Sequence, residues 1–305
     1  MIKKINARDN KQGRTPMPSW LKRPIACGGE KNSVEAQCAR HGLHTVCVEA
    51  KCPNRGECFG RGTATFLILG NVCSRECTFC SVSHGTPGPV DCEEPEGVCE
   101  AVKNMKLRHV VVTSVTRDDL PDGGAMHFAR TVTLLKRNIP GIFVEILVPD
   151  FNGNSLALET VLESGPDVFN HNIETVPRLY PVIRPQAQYM RSLHLLAKAA
   201  HSGVQLETKS GLMVGLGETR EEVIGTLRDL RQAGCSLVTI GQYLRPSDSQ
   251  VPVYAFITPE EFKRYENTGY DLGFSRVFAG PFVRSSYRAE EMKNRKLFFN
   301  SKEVF

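Results

Sequence analysis

The chain of 305 residues is 41% hydrophobic with a net charge of +5, enough apolar material for one large buried core. That balance excludes a disordered or fibrous protein, and a mild basic excess without a long Lys/Arg run argues against nucleic-acid binding. No apolar run approaches the roughly 18 residues of a membrane span, and Met1 to Gly13 lacks the apolar centre of a signal peptide, so a cytoplasmic, reducing setting is expected.

Residues 1 to 30 are rich in Lys, Arg, Pro and Gly, show no periodicity and read as a draped arm. The lone Trp20, in Pro18-Ser-Trp-Leu-Lys-Arg-Pro24, is expected to be its packing anchor. A short helical pattern from Ser33 to Arg40 leads into a cysteine-bearing stretch that Pro53, Asn54 and Gly56 mark as a loop. Strand patterns follow at Thr63–Leu69, His109–Thr113, Ile142–Val148, Asp167–Asn170, Leu206–Val214 and Leu237–Ile240. Between them, apolar residues three and four apart predict helices over 94–105, 124–138, 154–164, 188–202 and 218–233, the last opened by Thr219 with Glu222 as a capping pair. Beyond residue 258 a helix over Pro259–Leu272 and a strand-like Phe274–Phe278 precede an irregular charged tail.

Strands alternating with helices imply a parallel α/β sheet. Periodicity does not separate a doubly wound sheet from a barrel. Six units are too few to close an eightfold barrel, so the expectation is a partial (β/α)6 TIM-type barrel with N-terminal and C-terminal extensions and chemistry at the C-terminal ends of its strands.

Six of the eleven cysteines form two groups, Cys47-x4-Cys52-x5-Cys58 and Cys73-x3-Cys77-x2-Cys80. Disulfide frameworks belong to small secreted domains, whereas clustered thiols in a reducing compartment point to metal. Structural zinc closes with four ligands, but each group offers three, and His84 is the only histidine close downstream. Three thiolates suit a cubane iron–sulfur cluster with one iron left for another donor. Cys27, Cys38, Cys92, Cys99 and Cys235 have no such spacing, and Cys235 reads as a small buried hydrophobe. His171 reads as a hydrogen-bonded strand-end histidine. Gly215-Leu-Gly217-Glu218 lacks a third glycine or a P-loop lysine and reads as close backbone approach.

Cys73-Ser-Arg-Glu-Cys77-Thr-Phe-Cys80, following a first strand, resembles the cluster loop of the radical S-adenosylmethionine superfamily. With Cys47-Val-Glu-Ala-Lys-Cys52-Pro-Asn-Arg-Gly-Glu-Cys58 added, the chain resembles the lipoyl synthase family. Thr116-Arg-Asp-Asp119, Asn170-His-Asn-Ile-Glu-Thr175, Met213-Val-Gly-Leu-Gly-Glu-Thr219, Gly241-Gln-Tyr-Leu-Arg-Pro246 and Arg284-Ser-Ser-Tyr287 extend the likeness from about residue 43 to 288.

The resemblance implies a [4Fe–4S] cluster on Cys73, Cys77 and Cys80 whose open iron chelates S-adenosylmethionine. It also implies an auxiliary [4Fe–4S] cluster on Cys47, Cys52 and Cys58, capped by Ser286, with Ser285 the lesser choice. An alkoxide is a harder donor than a thiolate and suits a ligand that must leave. Cys47, Cys52, Cys58 and Ser286 are thereby the catalytic set. Asn172 and Glu174 are assigned to the adenosylmethionine ribose, and Arg191 and Lys209 to its carboxylate.

The implied reaction inserts two sulfur atoms at C6 and C8 of an octanoyl-lysine, sacrificing the auxiliary cluster. Its partners are octanoylated lipoyl carrier domains (2-oxoacid dehydrogenase acyltransferase subunits and the glycine cleavage H protein), an electron donor such as flavodoxin or ferredoxin, and an iron–sulfur carrier for rebuilding. No nucleic acid or membrane is involved. Residues 1–60 would carry the auxiliary triplet, 61–258 the radical SAM partial barrel and 259–305 the Arg-Ser-Ser-Tyr segment. Two rivals stand beside this reading: a radical methylthiolase or other sulfur-inserting relative with a different substrate, and a non-catalytic structural zinc module.

Overall fold

The computed structural model describes residues 17–22, 31–60, 65–287 and 289. In chain order the elements are α1 (Lys31–Arg40), β1 (His44–Thr45), α2 (Val46–Glu49), α3 (Arg55–Gly60), β2 (Thr65–Ile68), β3 (Val72–Cys73), β4 (Ser83–His84), α4 (Glu94–Asn104), β5 (His109–Ser114) and α5 (Ala125–Asn138). They continue with β6 (Phe143–Leu147), α6 (Ser155–Glu163), β7 (Val168–Asn170), α7 (Tyr180–Ile183), α8 (Tyr189–Ala200), β8 (Glu207–Val214), α9 (Arg220–Gln232), β9 (Leu237–Gln242), α10 (Pro259–Asp271) and β10 (Arg276–Gly280).

One sheet runs β1-β2-β5-β6-β7-β8-β9-β10, parallel throughout except for the antiparallel β1–β2 edge. The six expected strands occupy its centre in sequence order, each separated from the next by at least one helix, as a partial TIM-type barrel requires. No pairing among the described residues closes the sheet. The strand-like segment after α10 forms β10 and adds a parallel strand beside β9. The predicted capping pair is present: Thr219 Oγ1 accepts from Glu222 N–H, and Glu222 Oε2 accepts from Thr219 N–H at 2.8 Å.

Helices cover the outer face of the sheet. Val98 and Val102 of α4, Phe128 and Val132 of α5, and Val223 and Leu227 of α9 are fully buried, which removes most of their apolar surface from water. The inner face is layered because strand side chains alternate with period two. Phe143, Val168 and Leu237 join Phe278 in an apolar floor. Above it, Glu145 Oε1 accepts from Lys209 Nζ at 2.8 Å and from Asn170 Nδ2 at 3.0 Å, all three residues without solvent exposure. Higher still, at the C-terminal ends of the strands, lies the open space described below.

Two local expectations are corrected. The first cysteine group is more than a loop, since Cys47 sits in α2 and Cys58 in α3, with Cys52 in the turn that Pro53 and Asn54 impose. Such short helices carry no recognisable periodicity and form here by packing, α2 on β1 and β2 and α3 on α1. Trp20 is 39% exposed, and its neighbour Leu21 is the buried anchor of that turn. Cys27, the 61–64 part of the first strand prediction, the start of the arm and the charged tail lie outside the described residues. Among the described residues no helix is long and apolar enough to cross a membrane.

Candidate functional site

The loop after β2 carries the second cysteine group, and four of the five residues between its cysteines hydrogen-bond it to the barrel. Ser74 Oγ donates to Thr116 O at 3.0 Å, Glu76 N–H donates to Gln186 Oε1 at 2.6 Å, and Thr78 Oγ1 donates to Val182 O at 3.0 Å. Cys73 Sγ accepts from Thr116 N–H at 3.3 Å. The strongest fastening is Arg75, whose Nε and Nη2 form a two-pronged pair with Asp118 at 2.7 and 2.9 Å while Nη2 also reaches Asp150 at 2.6 Å. This fork geometry is why an arginine serves there.

Burial alone would raise the Asp150 carboxyl, but the Arg75 hydrogen bond and charge outweigh it and hold the group down at about 2. A carboxyl depressed by folding contributes stability above its unfolded value near ~3.9, and that contribution, about 2 kcal/mol, is lost as the pH falls through about 2. Urea midpoints measured between pH 5 and pH 2 should therefore fall more steeply for the native chain than for Asp150→Asn.

A cavity of about 360 Å³ opens at the C-terminal ends of the strands, and Cys47, Cys52, Cys58, Cys73, Cys77 and Cys80 all line it. Asn172, Glu174, Ser285 and Ser286 line it too. Ser81 Oγ donates to Glu49 O at 2.9 Å, tying the second cysteine loop to the helix of the first. The C-terminal segment crosses the same opening. Asn54 Nδ2 donates to Phe282 O at 2.7 Å, and Tyr287 OH donates to Glu57 Oε1 at 2.9 Å, next to Cys58. Gly241 makes the crossing possible, because a Cβ there would collide with Val283 O. Ser285 Oγ is engaged with Asn172 Oδ1 at 2.6 Å, whereas no hydrogen bond among the described residues holds the Ser286 hydroxyl.

Three of the six thiols are poorly solvated. Burial pushes Cys80 up to about 12 and Cys47 up to about 11, and raises Cys77 against the opposing charge of Arg184. Thiolates at these depths need cationic partners, a role the irons of a bound cluster would fill. Among the described residues no three His, Cys, Asp or Glu side chains converge as the ligands of a single ion do. Three thiolates per group match the donor set of a cubane, which binds each sulfur to a different iron, whereas structural zinc takes four ligands.

The remaining predicted residues divide. Asn172 Nδ2 donates to Glu174 Oε1 at 3.0 Å. Glu174 is left-handed at φ 64° and is held there by its N–H on Gly211 O and its carbonyl on Met213 N–H, a strain of about 1–3 kcal/mol typical of functional sites. Lys209 is not at the cavity: it shares the inner face of β8 with Gly211 but lies one layer lower, spent on Glu145. Arg191 is not there either, its Nη1 lying 3.1 Å from Asn152 Oδ1 and 3.4 Å from Asp150 Oδ2 on the outer side of the Arg75 cluster.

Arg184, which the sequence reading missed, lines the cavity together with Lys51, Arg75 and Arg284. It is 9% exposed, donates from Nη1 to Tyr180 OH and Asn172 O at 3.1 Å, and leaves Nε without a partner. Its signal was Pro185, which expels the preceding residue from helical geometry and turns Arg184 (φ −135°, ψ 66°) back toward the strand ends. His171 bonds through Nδ1 to Val148 O and through Nε2 to Ser192 Oγ, both at 2.8 Å. A carbonyl only accepts, so Nδ1 carries the proton, and burial lowers the ring to about 4, keeping it neutral. In the Gly215–Glu218 turn the Gly215 and Leu216 N–H groups donate to Glu218 at 2.5 and 2.9 Å, leaving no phosphate cradle.

A partial parallel barrel with Cys-x3-Cys-x2-Cys after its first strand defines a class, and residues 67–230 match the family model of the radical SAM superfamily. Methylornithine synthase (TM-score 0.52, 16% identity, 82% of this chain and 70% of that one) and a maturase of the [FeFe]-hydrogenase (TM-score 0.54, 14% identity, 82% and 63%) share the fold. The lipoyl synthase of Caldanaerobacter subterraneus subsp. tengcongensis is 58% identical over 273 residues, covering 90% of this chain and 95% of that one. Those of Rubrobacter xylanophilus and Thermus thermophilus are 53% and 52% identical, covering 92% and 90% of this chain and 87% and 86% of their own. The chain belongs to the lipoyl synthase family. As a radical SAM enzyme it uses a [4Fe–4S] cluster and S-adenosylmethionine.

Proposed function

We propose that this enzyme inserts sulfur at C6 and C8 of an octanoyl group carried on a lysine of a lipoyl carrier domain. The observation that carries the reading is the single cavity shared by two cysteine triplets and the Arg284–Tyr287 segment. When bound, a cluster on Cys73, Cys77 and Cys80 supplies the electron that cleaves S-adenosylmethionine, and an auxiliary cluster on Cys47, Cys52, Cys58 and Ser286 supplies sulfur. In this reading residues 1–60 hold the donor, 61–258 generate the abstracting radical and 259–305 close the site.

The chain's own residues do the rest. Arg184, in place of Arg191 and Lys209, offers the charge opposite to the adenosylmethionine carboxylate, and Asn172 and Glu174 offer hydrogen bonds to its ribose. Val46, Leu67, Val115 and Leu147 on the cavity wall take up an alkyl chain and exclude water from a radical intermediate. The carriers are acyltransferase subunits of 2-oxoacid dehydrogenases and the glycine cleavage H protein, with flavodoxin or ferredoxin as reductant and an iron–sulfur carrier restoring the auxiliary site, all in the cytoplasm.

Iron and sulfide analysis of anaerobically purified protein separates this reading from the zinc module. Two clusters per chain support it, and near-zero iron with stoichiometric zinc contradicts it. Ser286→Ala should lower lipoyl product by roughly 10–100-fold while 5′-deoxyadenosine formation persists, and Ser285→Ala should be milder at saturating S-adenosylmethionine. The reverse ranking transfers the cap to Ser285.

A further inference from the structure

The C-terminal strap from Gly280 to Tyr287 touches both halves of the site with side chains of different kinds. On the auxiliary side it is held by Asn54 through the Phe282 carbonyl and by Tyr287 on Glu57. On the other side Ser285 Oγ–H donates to Asn172 Oδ1 at 2.6 Å, and Asn172 Nδ2–H donates to Glu174 Oε1 at 3.0 Å. The register is tight, for a Cβ on Gly211 would stand 2.7 Å from Ser285 Oγ and 2.8 Å from Asn172 Oδ1.

This relay has a direction. A carboxamide presents an acceptor on one side and donors on the other, so whichever group faces its oxygen decides where its NH2 points. The Ser285 proton turns the Asn172 oxygen toward the strap and its NH2 toward Glu174. Without that proton the amide keeps only its Glu174 bond to hold this orientation, and half-buried, left-handed Glu174 has a less firmly fixed donor. Ser285 therefore has a task distinct from that of Ser286, although the two are adjacent.

We propose that Ser285 is a positioning residue for S-adenosylmethionine, acting through Asn172 and Glu174, and that it couples cosubstrate binding to the seating of the strap on the auxiliary cysteine helices. The inference rests on the assignment of Asn172 and Glu174 to the cosubstrate. Its consequence is economy of radical formation: the cosubstrate site is fully ordered only while the strap is docked on the sulfur-donating half.

The test is equilibrium dialysis of S-adenosylmethionine against the anaerobically reconstituted enzyme, with iron counted in every sample. Ser285→Ala should raise the Kd about five- to tenfold, the worth of one hydrogen bond, with iron content unchanged and the saturated rate of 5′-deoxyadenosine release within about twofold of native. In an Asn172→Ala background the same substitution should add nothing, since its effect runs through that amide. Tyr287→Phe, which frees the strap from Glu57, should shift the Kd in the same direction by about two- to threefold. An unchanged Kd in Ser285→Ala, an undiminished loss in the Asn172→Ala background, or an unaffected Tyr287→Phe overturns the coupling. If Asn172→Ala and Glu174→Gln themselves bind S-adenosylmethionine normally, the underlying assignment falls with it, which distinguishes the two failures.

Discussion

Cys58→Ala should leave reductive cleavage of S-adenosylmethionine within about twofold of native yet lower sulfur insertion by more than ~100-fold, beyond what changes outside a metal's ligand set produce. Cys77→Ala should abolish both. The asymmetry follows from position: Cys58 sits in α3 beside Glu57 and the C-terminal strap, whereas Cys77 lies in the loop after β2 next to Arg184. Quantifying 5′-deoxyadenosine and lipoyl product from the same reaction reads both activities at once. Equal loss of cleavage in the two variants would contradict the division of labour between the triplets.

Arg75→Met should destabilise the enzyme by about 3–5 kcal/mol, because it leaves the wholly buried Asp150 carboxylate without its closest cation. Arg75 is also the residue between Cys73 and Cys77 that ties the loop to Asp118 and Asn152, so loss of iron from that triplet should accompany the fall in urea midpoint. Arg75→Lys keeps the charge but not the fork and should fall between the two. A change below about 1 kcal/mol with full iron retention would show that the fork contributes little.

The parts of the molecule legible in the sequence were those governed by local pattern. Strands β5, β6 and β9 showed as runs rich in β-branched residues, α9 announced itself by Thr219 and Glu222, and the six grouped cysteines stood out by spacing alone. What escaped was depth. Lys209 and Gly211 occupy the same face of β8, and only the solved layers separate a lysine buried on Glu145 from a glycine at the cavity. Arg191 and Arg184 are both arginines near strand ends, but Pro185 redirects one inward while the helix α8 keeps the other outside. The contacts of Tyr287 with Glu57 and of Asn54 with Phe282 join segments more than two hundred residues apart, a relation no local pattern encodes.

The measurement closest to the central claim is mass spectrometry of an octanoyl-lysine peptide after anaerobic turnover by enzyme whose clusters were rebuilt with heavy-isotope sulfide. The expected product is the dithiol, heavier than the substrate by two sulfur atoms, or by two sulfurs less two hydrogens once oxidised in air to the disulfide, with both sulfurs carrying the heavy isotope. An octanoyl peptide recovered unchanged while 5′-deoxyadenosine accumulates, or a product with unlabelled sulfur, would contradict a cavity in which one cysteine triplet makes the radical and the other provides the sulfur.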